Sequence, residues 1–401
     1  MAWYTIDNIA ELDTPALVVY PDRVRENIRQ AIAMVGDPAW LRPHVKTHKS
    51  PEVTRLMLAA GIRQFKCATI AEAEMLAMEG APDVLLAYQP IGPKAERFVA
   101  LIKKYPATHF SCLIDNEAAA RSMAAVFTAA GLTVPVWLDL NVGMDRTGIL
   151  PGADAVKLYQ LAAGLKGITP VGLHAYDGHI RDVDPVVRAE KCDAAFAGVM
   201  ALREEIGRGS AVGREPAVGG SAVGAASGGL MIVAGGSPTF PIHARRAAVL
   251  NERSGASVGP PAPASFQCSP GTFVYWDKGY GDQFPDQPFV PAALVVTRVI
   301  SLRGDTRLCL DLGHKSIAPE NEITRRVGLL NGPALTATGQ SEEHLVVEAG
   351  KDHGFRIGDI FYGLPYHICP TVALYDRASV VTDGRVTGEW KNVARDRKIS
   401  V

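Results

Sequence analysis

The stretch HFSCLIDNEAAARSMAAVFTAAGLTVPVWLDL, residues 109–140, decides the fold because it contains one complete strand–helix–strand repeat. Its apolar ends, residues 109–114 and 134–140, predict two short strands bounded by polar and turn residues. Asp115 and Asn116 are helix-capping residue types, and the alanine-rich segment after them predicts a helix up to residue 130. Strands joined by a helical crossover pair in parallel, so this stretch predicts an α/β fold.

The same alternation extends in both directions, from about residue 40 to residue 271. Eight strands are predicted, at residues 41–44, 64–68, 84–88, 109–114, 134–140, 171–176, 230–234 and 265–268. Helical segments lie between them, for example at residues 70–79, 94–104, 116–130 and 185–206. Eight evenly spaced units favour a closed (β/α)8, TIM-like barrel over an open doubly wound sheet, which is the alternative.

The pattern changes after residue 270, where β-rich runs alternate with Gly, Pro and Asp. The runs at residues 289–302, 306–311, 345–348 and 380–386 predict an all-β domain. We therefore expect a barrel domain at 17–270 and a β domain at 271–401, with residues 1–16 packing on the latter. Residues 207–229 and 254–263 are Gly-, Ala- and Ser-rich and are interpreted as flexible insertions without chemistry.

Composition excludes several classes of function. A formal net charge of -1 over 401 residues gives no reason to expect a nucleic-acid or anionic membrane partner. The longest apolar runs are too short for a membrane span, and the N-terminus lacks a signal-peptide pattern. The six cysteines are irregularly spaced, which predicts reduced thiols in a cytoplasmic protein.

Polar residues collect at the predicted carboxyl ends of the barrel strands, where barrel enzymes place their active sites. The segment RPHVKTHK, residues 42–49, contains five cationic or imidazole side chains, including His44 and Lys46. Clustered cations favour an anionic ligand such as a phosphate-bearing cofactor, and they help a lysine to lose its proton for imine formation. The alternative interpretation is a solvated basic turn.

Two further segments have residue types that bind ligands. Gly235-Gly236-Ser237-Pro238-Thr239 follows the predicted seventh strand, where small residues and hydroxyls can hold a phosphate. A plain tight turn is the alternative. His367 and Cys369 share one face if their segment is a strand, and imidazole plus thiolate favours zinc. The alternative is a pair of packing residues.

The motifs, in this order, resemble the D-threonine aldolase and D-serine dehydratase family of metal-activated pyridoxal phosphate enzymes. The matching segments are LDTPA at 12–16, RPHVKTHK at 42–49, FKCAT at 65–69, DLNVGMDRTG at 139–148, GLHAYDGH at 172–179, SEEH at 341–344 and PYHICP at 365–370. The resemblance implies an alanine racemase-like barrel (pyridoxal phosphate fold type III) followed by a β domain that carries the metal. It also implies that Lys46 forms an imine with pyridoxal 5'-phosphate.

The resemblance implies roles for further residues. The cofactor would be held by residues at the strand ends: His44, Lys46, Arg146, Tyr176, Gly235, Gly236, Ser237, Thr239 and Tyr275. A salt bridge with Asp145 is the alternative for Arg146. His174 and His179 are candidate acid–base residues beside Lys46, with Asp177 and His344 as weaker ones. Glu72 and Glu74 are expected to face solvent on a helix.

The implied activity is metal-dependent cleavage of D-β-hydroxy amino acids, as in D-threonine aldolase, to glycine and an aldehyde. Cys369 favours the alternative, a D-serine or 3-hydroxyaspartate dehydratase, because the aldolases tend to have Asp at that position. An amino-acid racemase and a cofactor-homeostasis protein are further alternatives. The β domain argues against the second, because such proteins generally lack one. The expected metal is zinc, with manganese or magnesium as alternatives, and a homodimer is expected by analogy.

Overall fold

A computed structural model describes residues 2–210, 230–252 and 264–401 and divides the chain into two compact units. The sheet unit consists of Met1–Gln30, Lys46–Leu56 and Thr272–Asp396. The barrel unit consists of Ala31–Val45, Met57–Gly271 and Arg397–Val401. The predicted boundary after residue 270 therefore lies one residue from the division at 271, whereas residues 17–30 and 46–56 group with the sheet unit.

The barrel unit is built on a parallel seven-stranded sheet in which each strand pairs with the next along the chain. The strands are β2 (Gln64–Cys67), β3 (Asp83–Leu86), β4 (His109–Ile114), β5 (Val134–Leu140), β6 (Ile168–Ala175), β7 (Met231–Ala234) and β8 (Phe266–Cys268). The helices between them are α3 (Ile70–Met78), α4 (Pro93–Lys104), α5 (Glu117–Ala129), α6 (Ala153–Gly164), α7 (Pro185–Ser210) and α8 (Phe240–Glu252). Asn116 caps α5 as predicted, since its side chain accepts from the Ala119 amide.

The segment 41–44 closes the barrel, but it is not the regular strand that the sequence predicted. Leu41 forms a parallel bridge to Cys268 in β8, and His44 forms one to Lys66 in β2. Pro43 has no amide hydrogen to donate and only accepts, from the Lys66 amide at 2.9 Å. Pro43 interrupts the ladder of backbone hydrogen bonds. The segment therefore forms only two isolated bridges, which join β8 and β2, the outer strands of the sheet.

The sheet unit contains nine strands, most of them antiparallel. Its first strand, β1 (Ala16–Val19), pairs antiparallel with β9 and parallel with β15. The others are β9 (Ala293–Arg303), β10 (Arg307–Leu310), β11 (Val327–Leu329), β12 (Thr336–Gln340), β13 (Leu345–Glu348), β14 (Ile360–Pro365), β15 (Arg377–Thr382) and β16 (Arg385–Lys391). The described residues form four further α-helices: α1 (Pro21–Val35), α2 (Pro51–Ala59), which lies between the closing segment and β2, α9 (Lys278–Gln283) and α10 (Ile368–Leu374).

Several sequence predictions need correction. Residues 380–386 do not form one strand, because Asp383 and Gly384, both at positive φ, make the turn between β15 and β16. Helix α7 continues to Ser210, past the start of the predicted insertion at 207. The rest of that insertion and all of residues 254–263 lie outside the described residues.

Glu72 and Glu74 do not face solvent; both are fully buried. Glu72 accepts from the Ala68 amide at 2.7 Å, beside the N-cap of α3. Glu74 accepts from the Ser400 amide at 3.1 Å and forms an ion pair with Lys104 at 3.3 Å. Both carboxylates are buried because backbone amides and a cation satisfy them. Among the helices of the described residues, none is long and apolar enough to cross a membrane.

Candidate active site

The basic segment 42–49 is largely buried, which excludes the solvated-turn interpretation for most of it. Arg42 and His48 are fully buried. Arg42 forms an ion pair with Asp83 at 2.5 Å and donates to the Gln267 amide oxygen at 2.7 Å. Lys46 is half-buried. The strand-closing bridges of Leu41 and His44 and the pairing of Arg42 fix the segment that leads directly into Lys46.

The loop Gly235–Thr239 lies between β7 and α8, where its two glycines are required by close contacts. Gly235 has φ +83°, and a Cβ atom there would lie 2.4 Å from the His243 ring. A Cβ at Gly236 would lie 2.9 Å from the Tyr176 ring. The loop therefore brings backbone close to two aromatic side chains immediately before the N-terminus of α8. The amides at the N-terminus of α8 follow this loop directly, and helix N-terminal amides can bind an anion.

Tyr176 is the centre of a cationic contact group at the end of β6. The Arg146 guanidinium lies 5.0 Å from the centroid of the Tyr176 ring, and the Lys66 amine lies 5.8 Å from it. Asp145 instead accepts a hydrogen bond from the side-chain amide of Asn141 at 2.8 Å. The predicted pair of Arg146 and Tyr176 is thus brought together, through a cation–π contact.

His174 is not placed to act as an acid or base on a substrate. Its ring is buried, with Nδ1 2.7 Å from Asp139 Oδ1 and Nε2 3.3 Å from the Lys66 amine. Burial and the nearby Lys66 charge lower the pKa of His174, so the ring is neutral at physiological pH. His179 is exposed and lies against Gly143, where a Cβ would be 2.8 Å from its Nε2. Of the two histidines, His179 is the accessible one.

Asp177, Cys192 and His243 form a buried cluster whose donor atoms are close enough to hold a metal ion. In the structure, however, these groups bind one another. His243 Nε2 lies 2.7 Å from Asp177 Oδ2, Thr239 donates to Asp177 Oδ1 at 2.7 Å, and Arg246 lies 2.6 Å from His243 Nδ1. Burial and the Asp177 charge raise the pKa of the Cys192 thiol to about 12. The cluster therefore ties the Gly235–Thr239 loop to the strand end.

His367 and Cys369 are brought together, but not on a strand. His367 is the N-cap residue of α10 and Cys369 lies in its first turn. The spacing of two residues alone does not distinguish a β-strand from the first turn of a helix. Their side chains hydrogen-bond to each other, and the Thr47 hydroxyl lies 3.1 Å from the Cys369 sulfur.

The charges around this pair favour imidazolium and thiolate. Burial lowers the pKa of His367, but the contacts with Cys369, Asp277 and Glu320 outweigh it and raise this pKa to about 9. Burial alone would raise the pKa of Cys369, yet His367 and Lys46 lower it below its ordinary value. Glu320 Oε1 lies 2.6 Å from His367 Nδ1, so the carboxylate fixes the ring and directs Nε2 away from itself. A thiolate and an oriented imidazole are donor types that suit zinc.

The remaining predicted residues are placed less favourably. Tyr275 is almost fully buried, and burial raises the pKa of its phenol. His344 is exposed and lies 3.5 Å from the Ser341 hydroxyl of its own turn. Sequence reasoning missed the roles of Lys66, Asp139 and Glu320. The one available signal was a lysine inside the predicted buried strand 64–68.

The sequence matches the alanine racemase N-terminal domain family over residues 19–222. The chain belongs to this family. Residues 292–381 also match the putative serine dehydratase domain. The motif-based resemblance is thereby confirmed, because both halves match families that the motifs indicated.

Full-length relatives are lyases by name. The chain is 29% identical over 399 residues to a D-threonine aldolase of an Arthrobacter species, covering 97% of this chain and 94% of the relative. It is 25% identical over 402 residues to a 3-hydroxy-D-aspartate aldolase of Paracoccus denitrificans, covering 97% and 93%.

Solved structures confirm the predicted fold. The D-threonine aldolase from Filomicrobium marinum superposes with a TM-score of 0.80 at 23% identity, covering 96% of each chain. A cysteine-to-alanine variant of D-threo-3-hydroxyaspartate dehydratase, in its metal-free form, has a TM-score of 0.73 at 21% identity, covering 96% of this chain and 98% of the variant. The barrel with an additional β-rich unit is therefore shared with enzymes of this fold.

Proposed function

We propose that this protein is a pyridoxal phosphate- and metal-dependent lyase that cleaves D-β-hydroxy amino acids, as a D-threonine aldolase does. The observation that carries the proposal is the contact between Cys369 and Thr47 at 3.1 Å. Thr47 follows Lys46 directly. Through Cys369, the proposed metal-binding pair therefore contacts the segment that contains the proposed cofactor lysine. The names of the full-length relatives support the same activity.

The residue types predicted to bind the cofactor fit a phosphate-bearing aromatic group. Lys46 would supply the amine that joins it, and the Gly235–Thr239 loop at the start of α8 would bind the phosphate. Arg146 and Tyr176 would lie against its ring, with His44 and Tyr275 as further contacts. When bound, pyridoxal phosphate withdraws electrons from the substrate's Cα.

His367 and Cys369 would hold the metal, for which we propose zinc ahead of manganese or magnesium. The metal would supply Lewis acidity towards the substrate's β-hydroxyl group. Variants of D-threo-3-hydroxyaspartate dehydratase have been solved with a histidine or with a cysteine two positions later replaced by alanine, and the cysteine variant is metal-free. His367 and Cys369 have the same spacing, which supports this choice over the Asp177 cluster.

The bond that breaks depends on which proton the chain removes. Removal of the β-hydroxyl proton, for which His179 is the accessible imidazole, cleaves Cα–Cβ and releases the aldehyde, and Cα then takes up a proton to give glycine. Removal of the Cα proton by Lys46 leads instead to loss of the β-hydroxyl as water, and hydrolysis of the resulting imino acid gives a keto acid and ammonia. Cys369 favours this second candidate, a D-serine or 3-hydroxyaspartate dehydratase.

Product analysis tests the proposal. The pyridoxal phosphate-loaded protein is incubated with D-threonine and D-serine, with and without EDTA. Glycine and acetaldehyde from D-threonine, lost on chelation, are expected. Formation of 2-oxobutanoate or pyruvate with ammonia would instead establish the dehydratase. Alanine racemisation that EDTA leaves unchanged would contradict both lyases.

We further propose a cytoplasmic homodimer. The six cysteines, all within the described residues, form no disulfide, which suits a reducing compartment. The dimer is proposed by analogy with racemase-like barrels, and sedimentation equilibrium tests it.

A further inference from the structure

Lys66 is a buried amine that the proposed chemistry does not use. It is the third residue of β2, and only 2% of it is exposed. Lysine is rarely buried to this extent unless partners compensate for the loss of hydration. The partners of Lys66 therefore determine how its amine is stabilised inside the barrel.

The partners form a chain across three strands of the barrel. Lys66 Nζ lies 3.3 Å from His174 Nε2 in β6, and His174 Nδ1 lies 2.7 Å from Asp139 Oδ1 in β5. Thr147 donates to the other oxygen of Asp139 at 2.8 Å. We refer to Asp139, His174 and Lys66 as the barrel relay.

The geometry fixes which atom donates at each step. Burial alone would raise the pKa of Asp139, but the contacts with His174, Thr147 and Lys66 hold it below its ordinary value. An ionised Asp139 accepts the Nδ1 hydrogen of His174, so the neutral ring presents the lone pair of Nε2. Lys66 must then be the donor, and its positive charge lowers the pKa of both His174 and Asp139.

The ammonium faces the ring against which the cofactor is proposed to lie. Lys66 Nζ is 5.8 Å from the Tyr176 centroid, and the Arg146 cation is 5.0 Å from the same ring. The Gly236 backbone packs so closely against the Tyr176 ring that a Cβ at position 236 would lie 2.9 Å from it. Asp139, His174, Tyr176, Lys66 and Arg146 are charged or titratable groups at this ring or in the relay. Lys66 and Arg146 are the two cations whose contact with the ring is described.

We propose that Lys66 is a positioning residue whose charge, held by the barrel relay, lowers the pKa of the protonatable groups of the bound cofactor. The proposal rests on the proposed function, since it presupposes that pyridoxal phosphate lies against Tyr176. A fixed positive charge disfavours protonation of a neighbouring group. Solvent screens this repulsion less in a buried site than at the surface. Lys66 thereby sets the pH range in which the cofactor carries its proton.

The test is a pH titration of the visible absorbance of the pyridoxal phosphate-loaded protein. Lys66→Gln removes the charge but keeps a donor for His174, and it should raise the titration midpoint by roughly one pH unit. Lys66→Arg keeps the charge and should restore the wild-type midpoint. Lys94→Met is the matched control, because Lys94 lies 4.3 Å from the Tyr88 ring but is exposed, and its midpoint should equal that of the wild type.

An unchanged or lowered midpoint in Lys66→Gln would overturn the proposal, as would Lys66→Arg behaving like Lys66→Gln. If Lys66→Gln does not fold, the Lys66→Arg and His174→Gln proteins decide. His174→Gln releases the ammonium from the relay and must shift the midpoint, whereas Lys66→Arg must not. A wild-type protein without visible absorbance at any pH would instead refute the proposed function.

Discussion

Two clusters of side chains that could bind a metal lie in different units. They differ in how many of their donor atoms are already engaged in contacts with protein groups. In the barrel unit, Asp177, Cys192 and His243 are buried, and their atoms bind one another, Thr239 and Arg246. In the sheet unit, the His367 side chain is 47% exposed and contacts Cys369, and Glu320 orients its ring. We therefore expect the larger cluster to be the worse metal site, because its groups already bind one another and its thiol has a pKa raised to about 12.

The largest effect is expected from removing a proposed ligand. His367→Ala should lower zinc affinity by more than about 100-fold, since even outer partners of a ligand contribute about 10–100-fold. Isothermal titration of the metal-free protein measures it. Cys192→Ser, from the other cluster, is the control and should bind zinc like the wild type; the reverse outcome would exchange the two assignments.

The barrel cluster should matter for stability. Asp177→Asn keeps an oxygen that can accept from Thr239, but it removes the charge that pairs with His243 and places an NH2 group opposite the buried His243 Nε2. We expect the free energy of unfolding to fall by about 3 kcal/mol. Urea denaturation measures the change. A neutral result, or a parallel loss of zinc affinity, would speak against a hydrogen-bonded role.

A smaller effect is expected at Glu320, which touches the metal pair only through His367. Glu320→Ala should lower zinc affinity about 10- to 100-fold without changing the free energy of unfolding appreciably. Glu322→Ala, two residues away, is the matched control. Equal affinities in both variants would show that His367 needs no carboxylate to orient it.

The smallest effect is the acid dependence of the Asp177 contribution. The contacts with His243 and Thr239 outweigh burial and hold the pKa of Asp177 below its ordinary value. Its contribution is therefore complete above the unfolded pKa of about 3.9 and is lost as the pH falls through the folded value. The stability difference between wild type and Asp177→Asn should shrink below about pH 4. A constant difference would contradict this assignment.

The alternation of strands and helices could be predicted because burial of one face imposes a periodicity that the sequence displays locally. The strands β4, β5 and β13 agree with the sequence prediction at both ends. The closing segment could not be predicted as two bridges, because the effect of Pro43 depends on which neighbours it meets. Likewise, the spacing of His367 and Cys369 suits both a strand and a helix start.

The barrel relay was beyond sequence reasoning for a different reason. Lys66 and His174 are 108 positions apart, and His174 and Asp139 are 35 apart. Charged residues at such separations look like unrelated surface positions until the barrel brings their strands together. The same holds for Glu320, which reaches His367 across 47 positions.

One measurement tests the central claim, a metal-assisted cleavage at His367 and Cys369, most directly. Glycine release from D-threonine is followed in the metal-free, pyridoxal phosphate-loaded wild type, Cys192→Ser and Cys369→Ser proteins while zinc is added. We predict that zinc restores glycine and acetaldehyde in equal amounts in the first two and not in Cys369→Ser. Restoration in Cys369→Ser but not in Cys192→Ser, or glycine release that is indifferent to zinc, would contradict the claim.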